Sequence, residues 1–216
     1  MKNNYDRIAG NYDMLSRLVF QKSIVRSQKA LLPLLHVPCK LLIVGGGTGW
    51  ILEELAQAHP MGLRITYVEI SEKMIALARD RDTGKNRVSF VHSAIEDFVS
   101  DEQFDAVMTP FLFDNFNQER AEAVFSKLDT MLMPGGNWLF VDFHIEKKLK
   151  GVWQKMLLKS MYWFFATLCN VEARKLPDMG PIFQNAGYAP LLRSLHFHGF
   201  IQSVGYRKII PLRRAS

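Results

Sequence analysis

Cysteine is scarce in this chain: two in 216 residues, Cys39 and Cys169, 130 positions apart. That spacing supports neither a disulfide framework nor a cysteine-based metal cluster, so a reducing, cytoplasmic setting and no bound metal are expected. Also missing are an apolar run long enough to cross a bilayer and a basic, apolar, small-residue leader at the first residues. Neither secretion nor a transmembrane anchor is expected. The chain has no internal repeats, no low-complexity tracts, no Ser-His-Asp ordering and no Walker phosphate loop, so hydrolase and triphosphatase chemistry lack support. With 48% hydrophobic residues in one domain's length, it has enough for a single sizeable core.

Charge is unevenly spread. Residues 143–216 carry 12 Lys/Arg against 3 Asp/Glu, a net +9, while the rest of the chain is at −3. A basic last third attracts nucleic acid, anionic lipid or an acidic substrate, or it is simply a solvated surface.

The stretch Leu41 to Leu52, LLIVGGGTGWIL, organises the rest. Four apolar residues run into Gly45, Gly46, Gly47 and Gly49, after which Trp50 to Ala58 resume with helical spacing. A run apolar on both faces suits a parallel strand covered by helices. The glycines permit positive φ and let a ligand approach the backbone, and the first amides of the following helix attract an acceptor-rich ligand. The spacing is G-x-G-x-G and not the dinucleotide G-x-G-x-x-G, and by itself it is also compatible with a plain tight turn. A second strand, Ile65 to Ile70, carries Glu69 at its tip, 20 residues past Gly49. There a nucleotide-binding α/β fold places its acceptor for ribose hydroxyls.

The remaining pattern alternates. Ser71 caps a helix to about Arg81, Arg87 to His92 form a third strand, and Phe104 to Met108 a fourth. A helix over Gln118 to Leu132 is ended by Pro134-Gly135-Gly136 and followed by a fifth strand, Asn137 to Phe143. A short helix, Pro181 to Ala186, stops at Gly187, and Leu191 to Phe197 pair with Phe200 to Arg207 in a closing hairpin. Helical spacing before the first strand continues to about Leu35, with Pro33 and Pro38 bracketing the connector.

GGGTG, VEIS and EKMIALAR resemble the class I S-adenosylmethionine-dependent methyltransferases. The resemblance implies a doubly wound, mostly parallel seven-stranded α/β sheet with helices on both faces and a C-terminal antiparallel hairpin. One domain would span residues 1–216, with a helical cap over 1–38 and a helical insertion or lid over 145–178. It also implies S-adenosyl-L-methionine as cofactor. Gly45, Gly46, Gly47 and Gly49 would pass its methionine part, Glu69 would take the ribose hydroxyls, and Ile70 would cover the adenine. Ser93 and Ala94 would meet the adenine edge, and Met74, Ile95 and Thr109 would complete the contacts. Two residues depart from the family pattern: Ile43 stands where an acid is usual, and Ser93 where an aspartate is usual. A serine hydroxyl still accepts from an exocyclic amine, without charge assistance. LIVGGG also resembles aminopropyltransferases of the spermidine-synthase type, but too few residues precede Leu41 for their N-terminal β-domain.

The opening YD-x-IA-x-x-YD, with Tyr5 and Tyr12, resembles the quinone-biosynthesis methyltransferases and phospholipid N-methyltransferases. That resemblance implies a segment folded over the cofactor (Tyr12) and walling the substrate pocket (Tyr5). The alternative is half-buried helix packing. After the fourth strand, Phe111, Asp114 and Asn115 reach the carboxyl edge as substrate-pocket and catalytic candidates, although Asp114 or Asn117 would also serve to cap the next helix. His144, past Asp142 at the end of the fifth strand, has the chemistry of a general base or is a satisfied polar residue. Gly151 to Val171 is aromatic-rich; on a helix its apolar residues, Trp163 among them, cover roughly 260° of arc. Such a helix is sandwiched in the core, or it is a lid over an apolar acceptor in contact with a membrane surface. The expected acceptor is small and apolar, a quinone-like ring or lipid headgroup, with possible peripheral contact to anionic membrane. No nucleic acid partner is expected, since no N/D-P-P-Y loop follows the fourth strand, although nucleic-acid methylation and cofactor binding without catalysis are the rivals.

Overall fold

Leu41, Leu42, Ile43 and Val44 decide the middle of the sheet. Successive side chains of a strand point to opposite faces, and the computed structural model places Leu41 and Ile43 in one buried cluster and Leu42 and Val44 in another. It describes residues 22–145 and 175–210, together with Phe20 and Met156. The first strand, β1 (Cys39–Val44), lies parallel between β2 (Leu63–Glu69) and β4 (Phe104–Pro110). Outside these lie β3 (Arg87–His92) and β5 (Leu132–Phe143), also parallel. β7 (Ile201–Lys208) runs antiparallel to β5, and β6 (Tyr188–His196) closes the edge, giving the order β3-β2-β1-β4-β5-β7-β6. This is the doubly wound sheet and closing hairpin that the sequence led us to expect.

Helices cover both faces. One cluster takes Ile51, Leu52 and Leu55 of a helix over Trp50–Ala58, Ala78 of a helix over Glu72–Arg79, and Leu31, Leu32 and Leu35, which follow a short helix over Ser23–Lys29. The other gathers Val124, Phe125 and Leu128 of a helix over Gln118–Met131 and Phe183 of one over Met179–Asn185 around fully buried Trp138. Trp138 stacks on Phe125 with centroids 4.9 Å apart and meets Phe183 edge-on at 5.1 Å. In chain order these helices are α1 to α5.

Three local expectations are corrected. Pro134-Gly135-Gly136 does not end α4, which stops at Met131 when Leu132 turns extended. Leu132 pairs with Phe104 and Asn137 with Ala106, so residues 133–136 bulge from β5. A bulge suits Pro134, which has no amide for the ladder. Pro33 lies inside a 3-10 turn over Leu32–Leu34, so the connector into β1 is residues 35–38. The helical spacing expected to reach Leu35 breaks at Lys29. Most of the expected cap over 1–38 and lid over 145–178, including Tyr5, Tyr12 and Trp163, lies outside the described residues.

The glycines give a stability test. Gly49 and Gly187 both have left-handed backbone, at φ 78° and 76°. A Cβ on Gly187 would meet nothing within 4 Å, whereas one on Gly49 would lie 2.7 Å from Ala78 Cα. Gly187→Ala is therefore expected to cost about 1–2 kcal/mol of backbone strain. Gly49→Ala should cost more, on the order of 3 kcal/mol, because α2 and α3 must also separate. Urea denaturation of the two variants checks this, and equal losses would contradict it.

Candidate cofactor and active site

The strand order reverses between β1 and β4, and ligands of open α/β sheets bind at the carboxyl edge of that switch point. The turn after β1 has Gly45, Gly47 and Gly49 at φ 73°, 63° and 78°, a conformation costly for any residue with a Cβ. The four glycines answer to different constraints. A Cβ on Gly46 would lie 2.4 Å from the Tyr67 hydroxyl oxygen, and one on Gly49 would strike Ala78, so protein packing demands those two. Gly45 and Gly47 would meet only the Leu112 side chain at 3.3 Å and Met74 Sδ at 3.7 Å. They are the two at which a ligand can approach the main chain.

Glu69, 5% exposed, closes β2. Its Oε2 accepts from the Gly47 amide at 3.0 Å, and its Oε1 from the Ser71 amide at 3.0 Å. The Ser71 hydroxyl in turn accepts from the Met74 amide at 3.2 Å, capping α3. From the end of β3, the Ser93 amide donates to the Glu69 carbonyl at 3.1 Å and the Ser93 hydroxyl to the Ala94 carbonyl at 2.9 Å. Met74, Ala94 and Ile95 are buried around this edge and Ile70 is half-buried. Thr109 stands apart. It is fully buried, and its hydroxyl accepts from Trp138 Nε1 at 3.0 Å.

The loop after β4 forms a second group. Phe111 is held left-handed at φ 51°, an uncommon state for a bulky residue, while its amide donates to the Val141 carbonyl at 2.8 Å. The Asn115 side-chain Nδ2 donates to the carbonyls of Phe111 (2.9 Å) and Leu112 (3.2 Å) and to Asp114 Oδ1 (2.9 Å). It braces its own loop. Asn117 caps α4 by accepting from the Arg120 amide at 2.9 Å, so Asp114 is not that cap. Asp114 instead lies beside Asp142, which was not among the sequence candidates. Asp142 is 3% exposed, its Oδ2 accepts from the Asp114 amide at 3.2 Å, and its Oδ1 accepts from the Phe143 amide at 2.8 Å. An acid inside the apolar run NWLFVDF was the available signal, because a buried carboxylate without donors is costly. His144 follows the end of β5, half-buried, with its amide donating to the Phe200 carbonyl at 2.8 Å. Among the described residues, no group of three or more His, Cys, Asp or Glu is placed to hold a metal ion, and no helix is long and apolar enough to cross a membrane.

Residues 41–136 match the family model described as methyltransferase domain. A ubiquinone/menaquinone biosynthesis C-methyltransferase of Methylobacterium nodulans is 31% identical over 148 residues, which are 64% of this chain and 58% of that protein. Its counterpart in Geobacter sulfurreducens is 27% identical over 96% of this chain and 80% of its own length. The N-methyltransferase NodS from Bradyrhizobium japonicum WM9, solved with S-adenosyl-l-homocysteine, superposes with a TM-score of 0.63 at 15% identity, over 87% of this chain and 86% of NodS. The match to a methyltransferase domain spans the glycine turn, Glu69 and the loop that carries Asp114.

The glycine turn and its surroundings fit S-adenosylmethionine, the cofactor expected from the sequence, chemically. Glu69 supplies acceptors for vicinal hydroxyls, Gly45 and Gly47 admit a ligand to the backbone, and Ile70, Met74 and Ile95 provide apolar surface beside the Ser93 hydroxyl. The carboxyl pair is a different environment. Burial, with the Asp142 carboxylate beside it, holds Asp114 well above the usual carboxylate range. Burial also pushes Asp142 up to about 7, against the pull of amide donors from Phe143, Asp114 and Phe113.

A raised carboxyl value in the folded state makes that state bind more protons than the unfolded chain. The pair's contribution to stability is therefore complete below the ordinary value of 3.8 and lost as pH rises through about 7. Asp114→Asn leaves one buried acid in place of two. Its urea-denaturation stability should fall less steeply than wild type between about pH 4 and 8, and at pH 8 it should exceed wild type by about 1 kcal/mol. Parallel pH profiles for the two proteins would contradict the coupling.

Proposed function

We propose that this chain transfers a methyl group from S-adenosylmethionine to a small, apolar acceptor, a quinone-like ring or a lipid headgroup. The observation that carries the reading is the Glu69 carboxylate 3.0 Å from the Gly47 amide, beside a turn whose two unobstructed glycines lie at the switch point of the sheet. When bound, the sulfonium supplies an electrophilic methyl group. The chain's part is to hold the acceptor close and in line, which accounts for most of the acceleration in such a displacement. Asp114 is the proposed proton acceptor for a nucleophile that must lose a proton. Its Oδ1 is held by Asn115, so Oδ2 is the atom to take the proton. His144 is the second candidate, on the neighbouring stretch of chain after β5.

Three observations support the acceptor class. Relatives bear the name of quinone-biosynthesis C-methyltransferases. The sequence from Trp153 to Leu168 is apolar around most of a helical turn, and residues 143–216 carry a net +9. Each basic residue near an anionic surface contributes on the order of 1 kcal/mol, enough for reversible, salt-sensitive attachment from a cytoplasmic face.

Calorimetry with S-adenosylhomocysteine and with NAD tests the cofactor. The former should bind and the latter not, and Glu69→Ala should weaken binding on the order of a hundredfold, as expected for two lost charge-assisted hydrogen bonds. Binding of NAD alone would overturn the reading. For the acceptor, radiolabelled methyl transfer to cell extract should place label in the lipid fraction; label in RNA would favour a nucleic-acid substrate. Sedimentation with anionic vesicles should weaken in Trp163→Ser and when Lys147, Lys148 and Lys150 are all changed to Glu. A wild type that never sediments rules out the membrane contact.

A further inference from the structure

Gly47 has both of its backbone polar groups engaged by side chains of the neighbouring strand. Its amide donates to Glu69 Oε2 at 3.0 Å, and its carbonyl accepts from the Tyr67 hydroxyl at 2.9 Å. Tyr67 and Glu69 stand two positions apart on β2, so strand alternation puts them on one face. The pairing of Ile43 with Tyr67 and Val44 with Val68 brings that face against the turn. The tyrosine is confined there. Its side chain is fully buried, its ring lies 5.3 Å from that of Phe90, and Gly46 passes so close that a Cβ would lie 2.4 Å from its hydroxyl oxygen.

Such a brace has a physical purpose. Four glycines in five residues leave the turn with more backbone freedom to lose than any other segment of this length. Other bonds restrain its ends: Gly45 donates to the Val68 carbonyl at 2.9 Å, and Arg81 Nε donates to the Thr48 carbonyl at 3.0 Å. At the centre, at Gly47, the restraints are Glu69 and Tyr67. Glu69 faces the ligand in the reading above and also binds the Ser71 amide, so ribose hydroxyls draw on the same carboxylate that holds the turn. Tyr67 holds the turn from the core side, where a ligand does not compete.

We infer that Tyr67 is a positioning residue for the cofactor. By gripping the Gly47 carbonyl it keeps the left-handed backbone of Gly45 to Gly49 in the form that admits a ligand, including while Glu69 is engaged with the ribose. The inference rests on reading this turn as the S-adenosylmethionine site. It touches no reacting atom, and its effect falls on cofactor affinity.

Tyr67→Phe deletes the hydroxyl and keeps the ring. Two measurements on the full chain test it, namely calorimetry with S-adenosylhomocysteine and hydrogen exchange of the ligand-free protein. The dissociation constant should rise about tenfold, the size of one net hydrogen bond, and exchange should accelerate over residues 45–50 while the rest of the sheet keeps its protection. Unchanged affinity in a folded Tyr67→Phe overturns the inference, as does faster exchange spread evenly over the domain, which would mark a purely structural role. Gly46→Ala, which displaces the hydroxyl from the other side, should reproduce the affinity loss and carries the test if Tyr67→Phe fails to fold. If wild type binds no S-adenosylhomocysteine, the cofactor reading fails first and the inference falls with it. If wild type binds and both variants match it, only the role of Tyr67 is lost.

Discussion

A buried carboxylate at the end of β2 holds together the glycine-turn side of the sheet's carboxyl edge. Taking Glu69 out of water is costly unless its oxygens find donors. They find them in the amides of Gly47 and Ser71, charge-assisted bonds of the stronger kind. Because those amides belong to the turn after β1 and to the residue capping α3, one side chain sets the position of both. The main chain of Glu69 receives the Ser93 amide from β3, so three strand ends meet at a single residue. The same acceptor chemistry that steadies the protein is what a ribose requires.

The other half of the site uses a buried acid differently. Asp142 also takes backbone amides, but a second carboxyl, Asp114, lies beside it; burial raises both, and the Asp142 charge adds to the rise of Asp114. The left-handed Phe111 and the bracing amide of Asn115 hold the loop that makes this juxtaposition possible. One edge of the sheet thus carries a carboxylate held by amides next to a pair of acids that compete for charge, environments suited respectively to binding and to proton exchange.

Regular elements were legible wherever local period and caps agreed. The run RVSFVH, the helix from Trp50 and the cap Ser71 are each determined by residues within a turn or two of themselves, and the structure places them as read; of the two caps left open for α4 it selects Asn117. Misreadings arose where distant partners intervened. Pro134-Gly135-Gly136 reads as a helix stop, yet Leu132 is drawn into the sheet by pairing with Phe104 and the three residues bulge from the strand. Thr109 at the end of β4 is fully buried with its hydroxyl accepting from Trp138, 29 residues away, a contact that local sequence does not reveal.

By itself the sequence determined the alternation of strands and helices, the glycine turn, and the acid at its matching distance, because periodicity, glycine conformation and capping act over short spans of chain. Tertiary structure decided which glycines protein packing demands and which leave the backbone open, the close approach of Asp114 to Asp142, and the grip of Tyr67 on Gly47. These are contacts between residues 20 or more positions apart. They exist only once the sheet has set its register, since a shift of one residue would turn each side chain to the opposite face.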